Sequence, residues 1–194
     1  MDWNGTGMSV MEMSHRGKHF VSIAEKAKDD LRKLLSIPEN YTIFFFQGGA
    51  SLQFSAIAFN LLGEGADAKA NYLTTGTWSQ GAIAEVKKYG SATEVANNKE
   101  SKYTTVADPS EWNIDADAKY FHYCDNETIQ GFEFAEFPHD RVPAGQTLVC
   151  DMSSNFCSKP IDWSKYGVVY AGAQKNVGPA GICITIVRND LIGN

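Results

Sequence analysis

The stretch YTIFFFQGGASLQFSAIAFNLL, Tyr41 to Leu62, begins with six β-branched and aromatic residues in seven positions and ends with a segment that is apolar on nearly every side. The first part predicts a buried strand, Tyr41 to Phe46, and the last part a helix of the interior, Leu52 to Leu62. Between them Gln47-Gly48-Gly49-Ala50-Ser51 reads as a tight turn that opens the helix. Working outward, the unit recurs. A strand at Ala70 to Thr74 leads into a helix from about Trp78 to Lys88 and a short strand near Ala92 to Val95. After a polar connector, Asn97 to Asp117, strands follow at Lys119 to Cys124, Thr147 to Asp151, Gly167 to Ala171 and Ile182 to Val187. Towards the N-terminus, Phe20, Ile23, Ala24, Ala27, Leu31, Leu34 and Leu35 keep a 3.6-residue period, which predicts an amphipathic helix ending before Pro38. Apolar strands alternating with helices predict an α/β fold, a mostly parallel sheet with helices on both faces.

With 194 residues and 43% hydrophobic content the chain can bury a real core, most simply as one domain. Its formal net charge of -6 leaves no basic stripe, which argues against nucleic acid and anionic membrane as partners, so a phosphate would have to be held by local geometry. No apolar run is long enough to span a bilayer, and MDWNGTGMSV lacks the charged and then apolar segments of a signal peptide, so an intracellular protein is expected. Cys124, Cys150, Cys157 and Cys183 form no CxxC pair and are expected as reduced thiols. The four histidines show no metal-ligand spacing with them, and no metal is expected.

In sheets of this kind ligands collect beyond the carboxyl ends of the strands, and that rule gathers the unusual residues. Lys175 lies between two apolar strand-like runs, where a lysine either reaches water through the turn or has its nitrogen put to use. Asp151 ends the run Leu148-Val149-Cys150, where a carboxylate either caps the next turn or holds a cation or protonated ring. Trp78 stands where a strand gives way to a helix, as a core tryptophan or an aromatic plate. Gly48-Gly49-Ala50-Ser51 is either a plain turn or, with its free N–H groups at a helix start, an anion seat. It is neither GxGxxG nor GxxxxGK[ST], which disfavours dinucleotides and nucleoside triphosphates. A lysine nucleophile, an acid for a ring nitrogen, an aromatic plate and a phosphate seat are together what pyridoxal phosphate (PLP) requires. A Schiff-base lysine enzyme without cofactor would give Asp151 and the Gly48-Gly49 turn nothing to do.

The chain also resembles the phosphoserine aminotransferases, in the class V subgroup of the fold type I PLP enzymes. The resemblance rests on GTGMSVMEMSHRGKHF (Gly5 to Phe20), QGGASLQFSA (Gln47 to Ala56), GTWS (Gly76 to Ser79), NETIQG (Asn126 to Gly131), CDMSSNFCSKPID (Cys150 to Asp162) and AGAQKNVGPAG (Ala171 to Gly181). It implies that Lys175 forms the Schiff base, Asp151 faces the pyridine nitrogen and Trp78 stacks on the ring. It further implies that Thr128 bonds near the ring 3-oxygen, and that Ala50, Ser51 and Gln174 contact the cofactor, chiefly its phosphate. His15 and Arg16 match the family's substrate-anion pair, Arg16 forking onto a carboxylate or phosphate. The implied reaction joins 3-phosphohydroxypyruvate and glutamate to give O-phosphoserine and 2-oxoglutarate in serine biosynthesis. A related substrate is found in pyridoxine biosynthesis.

The resemblance also implies a homodimer whose partner subunit supplies phosphate ligands, in the cytoplasm or, with a transit peptide, in an organelle stroma. Residues 1–194 correspond to the PLP-binding large domain, without the family's N-terminal segment and small C-terminal domain. The expectation is therefore an aminotransferase whose activity belongs to the family or to a longer parent chain, against the alternative of a catalytically silent PLP-domain fragment that acts by association.

Overall fold

The computed structural model describes residues 2–63, 65 and 68–193. They fall into two compact units, Met1–Glu39 and Asn40–Asn194. The first is built on helix α1, Lys18–Leu35, two residues longer at its start than the apolar period marked. It ends at Ser36, whose left-handed φ of 52° breaks the helical path while its N–H still bonds to Arg32 O. The Arg32 guanidinium donates to the carbonyls of Ile37 and Pro38 at 3.1 and 2.6 Å, holding the chain as it leaves.

The second unit is a seven-stranded sheet. Its strands are β1 (Tyr41–Phe46), β2 (Lys69–Thr74), β3 (Ser91–Asn97), β4 (Tyr120–Cys124), β7 (Thr147–Asp151), β8 (Val168–Gly172) and β9 (Cys183–Arg188), while β5 (Asn126–Glu127) and β6 (Phe132–Glu133) form a separate hairpin. The order across the sheet is β1-β9-β8-β7-β4-β2-β3. β9 pairs antiparallel with both β8 and β1, and the other neighbours are parallel. β1, antiparallel to β9, therefore runs with β8, and β9 alone among the described strands of the sheet runs backwards. The cause is local: β8 returns to β9 through residues 173–182 with no helix, and a parallel return would need a longer crossover. The carboxyl ends of β1, β2, β4, β7 and β8 thus meet along one edge.

Alternation along β4 assigns the two faces of the sheet. Tyr120 and His122 point to the side packed by helices α2 (Gly49–Leu61) and α3 (Thr77–Val86), where Phe54, Ile57, Ala58, Ala82, Ile83 and Val86 are buried with Tyr72 and Tyr170. Each large apolar side chain buried there contributes about 1.5–3 kcal/mol. His122 sits wholly inside this layer, stacked on Tyr72 and bonded through Nε2 to Tyr170 Oη at 2.8 Å, and burial pushes its pKa down to about 3. Phe121 and Tyr123 face the other side, where loops carry the cover: Trp112 and Phe137 pack on Phe121, and Phe137 stacks on Tyr123 at 3.8 Å. The polar connector contributes Trp112 to that cover and two short 3-10 turns, Lys99–Ser101 and Pro109–Glu111.

Candidate active site

Asp151 is the last residue of β7 and is 3% exposed. Its Oδ1 accepts the Ser153 N–H at 2.8 Å, so the side chain does cap the turn that follows. Burial raises its pKa above the ordinary carboxyl value, and the Ser153 bonds oppose that only in part. It forms no ion pair with any described residue. A buried carboxylate without a cation is costly, and the cost is relieved when a protonated nitrogen is brought against it.

Lys175 lies in the loop between β8 and β9. Its Nζ donates to Thr128 Oγ1 at 2.6 Å and stands 5.0 Å from the centroid of the Trp78 indole. The lysine is half-buried, with its nitrogen against a hydroxyl and an aromatic face. Trp78 is the second residue of α3, carried there from the end of β2.

The anion seat is made by α2. Gly48 and Gly49 take φ of +88° and +61°, and a Cβ on Gly48 would lie 2.5 Å from Leu52 Cδ2, so this turn requires glycine. The first helical bond is Leu52 N–H to Gly48 O at 3.3 Å. The N–H groups of Gly49, Ala50 and Ser51 precede it and have no acceptor within the helix, and no side chain caps the end. The helix therefore begins at Gly49, three residues before the apolar run, because the turn glycines are its first turn.

Ala50, Ser51, Trp78, Asp151, Gln174 and Lys175 line one crevice. Thr128 joins them through its bond to Lys175. His15 and Arg16 are exposed residues of the first unit, just before α1, and are not among the residues of the crevice. Three further residues were not singled out from the sequence. Asn126 and Ser153 line the crevice, and Ser153 Oγ accepts the Gly172 N–H at 3.0 Å. Glu127 is fully buried against α3. Nothing in the period or composition marks them, since Glu127 and Ser153 find their partners on α3 and β8, far along the chain.

The end of β8 closes the seat. A Cβ on Gly172 would stand 2.9 Å from Ala50 N and 3.2 Å from Ala50 Cβ, so β8 and α2 touch backbone to backbone. Gly172→Val is expected to lower stability by about 1–3 kcal/mol through overpacking, read as a shift in the denaturant midpoint, and to weaken phosphate binding at the same time. A variant with unchanged midpoint would show that the contact is loose.

The Aminotransferase class-V family description matches residues 1–194. The chain belongs to the class-V aminotransferase family. It is 54% identical over 193 residues to the phosphoserine aminotransferase of Acinetobacter baumannii, covering 99% of this chain and 52% of that one. It is 53% identical over 193 residues to phosphoserine aminotransferase 1, chloroplastic, of Arabidopsis thaliana, covering 100% and 44%. Among solved structures, the phosphoserine aminotransferase of Bacillus circulans subsp. alkalophilus superposes with a TM-score of 0.91 at 42% identity, covering 100% of this chain and 52% of that one. PLP-bound phosphoserine aminotransferase of Trichomonas vaginalis superposes with a TM-score of 0.90 at 47% identity, covering 98% and 52%. The class-V chain thus spans about half the length of the curated relatives it matches, and it shares their fold, a mixed, mostly parallel sheet with helices.

Proposed function

We propose that this class-V chain is the PLP-binding large domain of a phosphoserine aminotransferase, transferring the amino group of glutamate to 3-phosphohydroxypyruvate to give O-phosphoserine and 2-oxoglutarate. The observation that carries the reading is the crevice itself: an amine held by Thr128 over the Trp78 ring, in a crevice also lined by a buried carboxylate that no described cation neutralises. The donor set fits PLP, with an amine for its aldehyde, an acid for its ring nitrogen, an indole for its face and free N–H groups for its phosphate. Lys175 would hold it covalently, Asp151 would face the ring nitrogen, and Ala50, Ser51 and Gln174 would take the phosphate with the dipole of α2 behind them. When bound, PLP supplies an electron sink for the charge left when a proton leaves the α-carbon of the amino acid.

The chain's own residues do the rest. Lys175 Nζ would take the proton from the α-carbon of the amino acid and return it. Thr128 Oγ1 keeps that nitrogen beside the indole. Asp151 would accept a proton-bearing ring nitrogen and so favour its charged form, a pairing that would offset the cost of the buried carboxylate.

Arg16, with His15, is proposed to hold the anionic end of the substrate by a charge-assisted fork. Arg16→Leu in the full-length protein is expected to raise KM for the phosphorylated keto acid roughly 10- to 100-fold, the equivalent of losing one charged hydrogen bond of about 1.5–3 kcal/mol, with a smaller change in kcat. Unchanged KM would remove Arg16 from the site. A homodimer is proposed as well. Phe59 and Leu52 of α2, 79% and 46% exposed, lie with Phe46, 43% exposed, on one apolar face of the kind that association covers. No helix among the described residues is long and apolar enough to cross a membrane, and the proposed compartment is the cytoplasm or an organelle stroma. The deciding assay is glutamate-dependent formation of phosphoserine by full-length protein with PLP. Transfer to other keto acids but none to 3-phosphohydroxypyruvate would refute the substrate assignment.

A further inference from the structure

Glu127 is 0% exposed, yet it meets no cation among the described residues. Its Oε2 accepts the Trp78 N–H at 2.9 Å, and its Oε1 accepts the Ser79 N–H at 2.8 Å and the Ser79 hydroxyl at 2.6 Å. These are donors of the first turn of α3, which lack acceptors inside the helix. The residue before that turn is Gly76, which has no side chain to act as a cap, and a Cβ there would stand 2.6 Å from the Glu127 carboxyl carbon. The carboxylate therefore occupies the place of an N-cap, supplied from another strand, and the helix dipole favours its charge.

The next residue in the chain is Thr128, the acceptor for Lys175 Nζ. Two residues further, Gln130 grips the same turn from outside: its Oε1 accepts the Thr77 N–H at 3.1 Å and its Nε2 donates to Thr77 Oγ1 at 2.8 Å. The segment 127–130 is thus strapped to the start of α3 by five hydrogen bonds, one after another along the chain. It joins the two groups between which Lys175 Nζ sits.

We propose that Glu127 is a positioning residue for this site: by holding the backbone of Trp78 and Ser79 it sets the indole plane against the Thr128–Lys175 pair. This rests on the PLP reading given above. Among the described residues no hydrogen bond or ion pair joins Glu127 to Lys175 or Asp151, although its charge adds to the burial that raises the Asp151 pKa.

The test is a double-mutant cycle in the full-length protein with PLP. Glu127→Gln keeps the volume and the acceptor for Ser79 but turns an amide N–H towards the Trp78 N–H. Reduction with borohydride should still place the label on Lys175. The visible circular dichroism of the bound cofactor is expected to fall severalfold, and kcat roughly tenfold with KM for glutamate within about twofold, the loss of one charge-assisted bond. In a Trp78→Phe background the same Glu127→Gln change should add little to the loss of dichroism, because both changes remove one wall. Unchanged dichroism in Glu127→Gln, or an equal further loss in the Trp78→Phe background, overturns the proposal. Should Glu127→Gln fail to fold, Glu127→Asp, which keeps the charge but shortens its reach to the Trp78 and Ser79 N–H groups, decides in its place: a smaller loss of dichroism supports the proposal and none overturns it. Failure of the wild type to be labelled at Lys175 would instead overturn the PLP reading, so the two failures are told apart.

Discussion

Lys175→Ala is expected to abolish covalent attachment of PLP and to lower transamination roughly 10⁴- to 10⁶-fold, the scale on which a nucleophile that works as part of a unit is lost. The reason is geometric. Among the residues lining the crevice Lys175 alone carries an amine. Lys159, the other lysine of the nearby turn, is committed elsewhere: its Nζ lies 2.8 Å from Asp125 and 3.4 Å from Glu133. Borohydride reduction followed by peptide mapping reads the outcome directly, in wild type and variant. Label on Lys159 or Lys18 in the wild type would sink the assignment, as would turnover in the variant within tenfold of normal.

Asp151→Asn should leave PLP attached through Lys175 while lowering turnover roughly 10²- to 10⁴-fold, the kinetic equivalent of about 3–5 kcal/mol for breaking a buried charge pair from one side. The same substitution should have the opposite effect on the ligand-free protein. Burial raises the folded-state pKa of Asp151 above the ordinary 3.8. Below 3.8 the folded and unfolded chains both carry the proton, and the acid costs the fold nothing. As pH rises past that value the unfolded chain ionises first, so wild-type stability falls until the raised folded pKa is passed. Asparagine cannot ionise, while its Oδ1 still accepts the Ser153 N–H. Ligand-free Asp151→Asn is therefore expected to be more stable than wild type at neutral pH, with the gain vanishing near pH 3. Denaturant midpoints across pH, with and without PLP, measure both signs. A variant less stable than wild type at neutral pH without PLP would show that Asp151 serves the fold as a turn cap and not the ring nitrogen.

Much of this was legible without coordinates because it is local. The boundaries of β1 and β7 coincide with the predicted strands Tyr41 to Phe46 and Thr147 to Asp151, since each is a short run with an apolar centre set off by turn residues, although β1 is an edge strand with Phe46 exposed and not the buried strand expected. That strands alternate with helices was enough to put Asp151, Trp78, Lys175 and the Gly48-Gly49 turn at one edge, since strand ends of a parallel sheet share a side. Their assignment as a set also needed no distance, only the recognition that an amine, an acid, an indole and free N–H groups suit one cofactor.

Tertiary structure decided what depends on pairing between distant segments. The hairpin of β5 and β6 has two residues on each side, too few for a period to register. The antiparallel course of β9 follows from the short helix-free return through residues 173–182 and not from its own residues, whose pattern would serve either direction. The start of α2 at Gly49 was hidden because glycine is a poor helix former on its own, and it stands there because the chain enters the helix at a positive φ. Glu127 shows the limit most plainly. In sequence it is an acid in a short polar segment, indistinguishable from a solvated one, and its burial becomes affordable only when the three donors at the start of α3, some fifty residues away, converge on its carboxylate. Strands and their order of alternation are written in neighbouring residues, whereas a buried charge is stable only where the fold brings its partners to it.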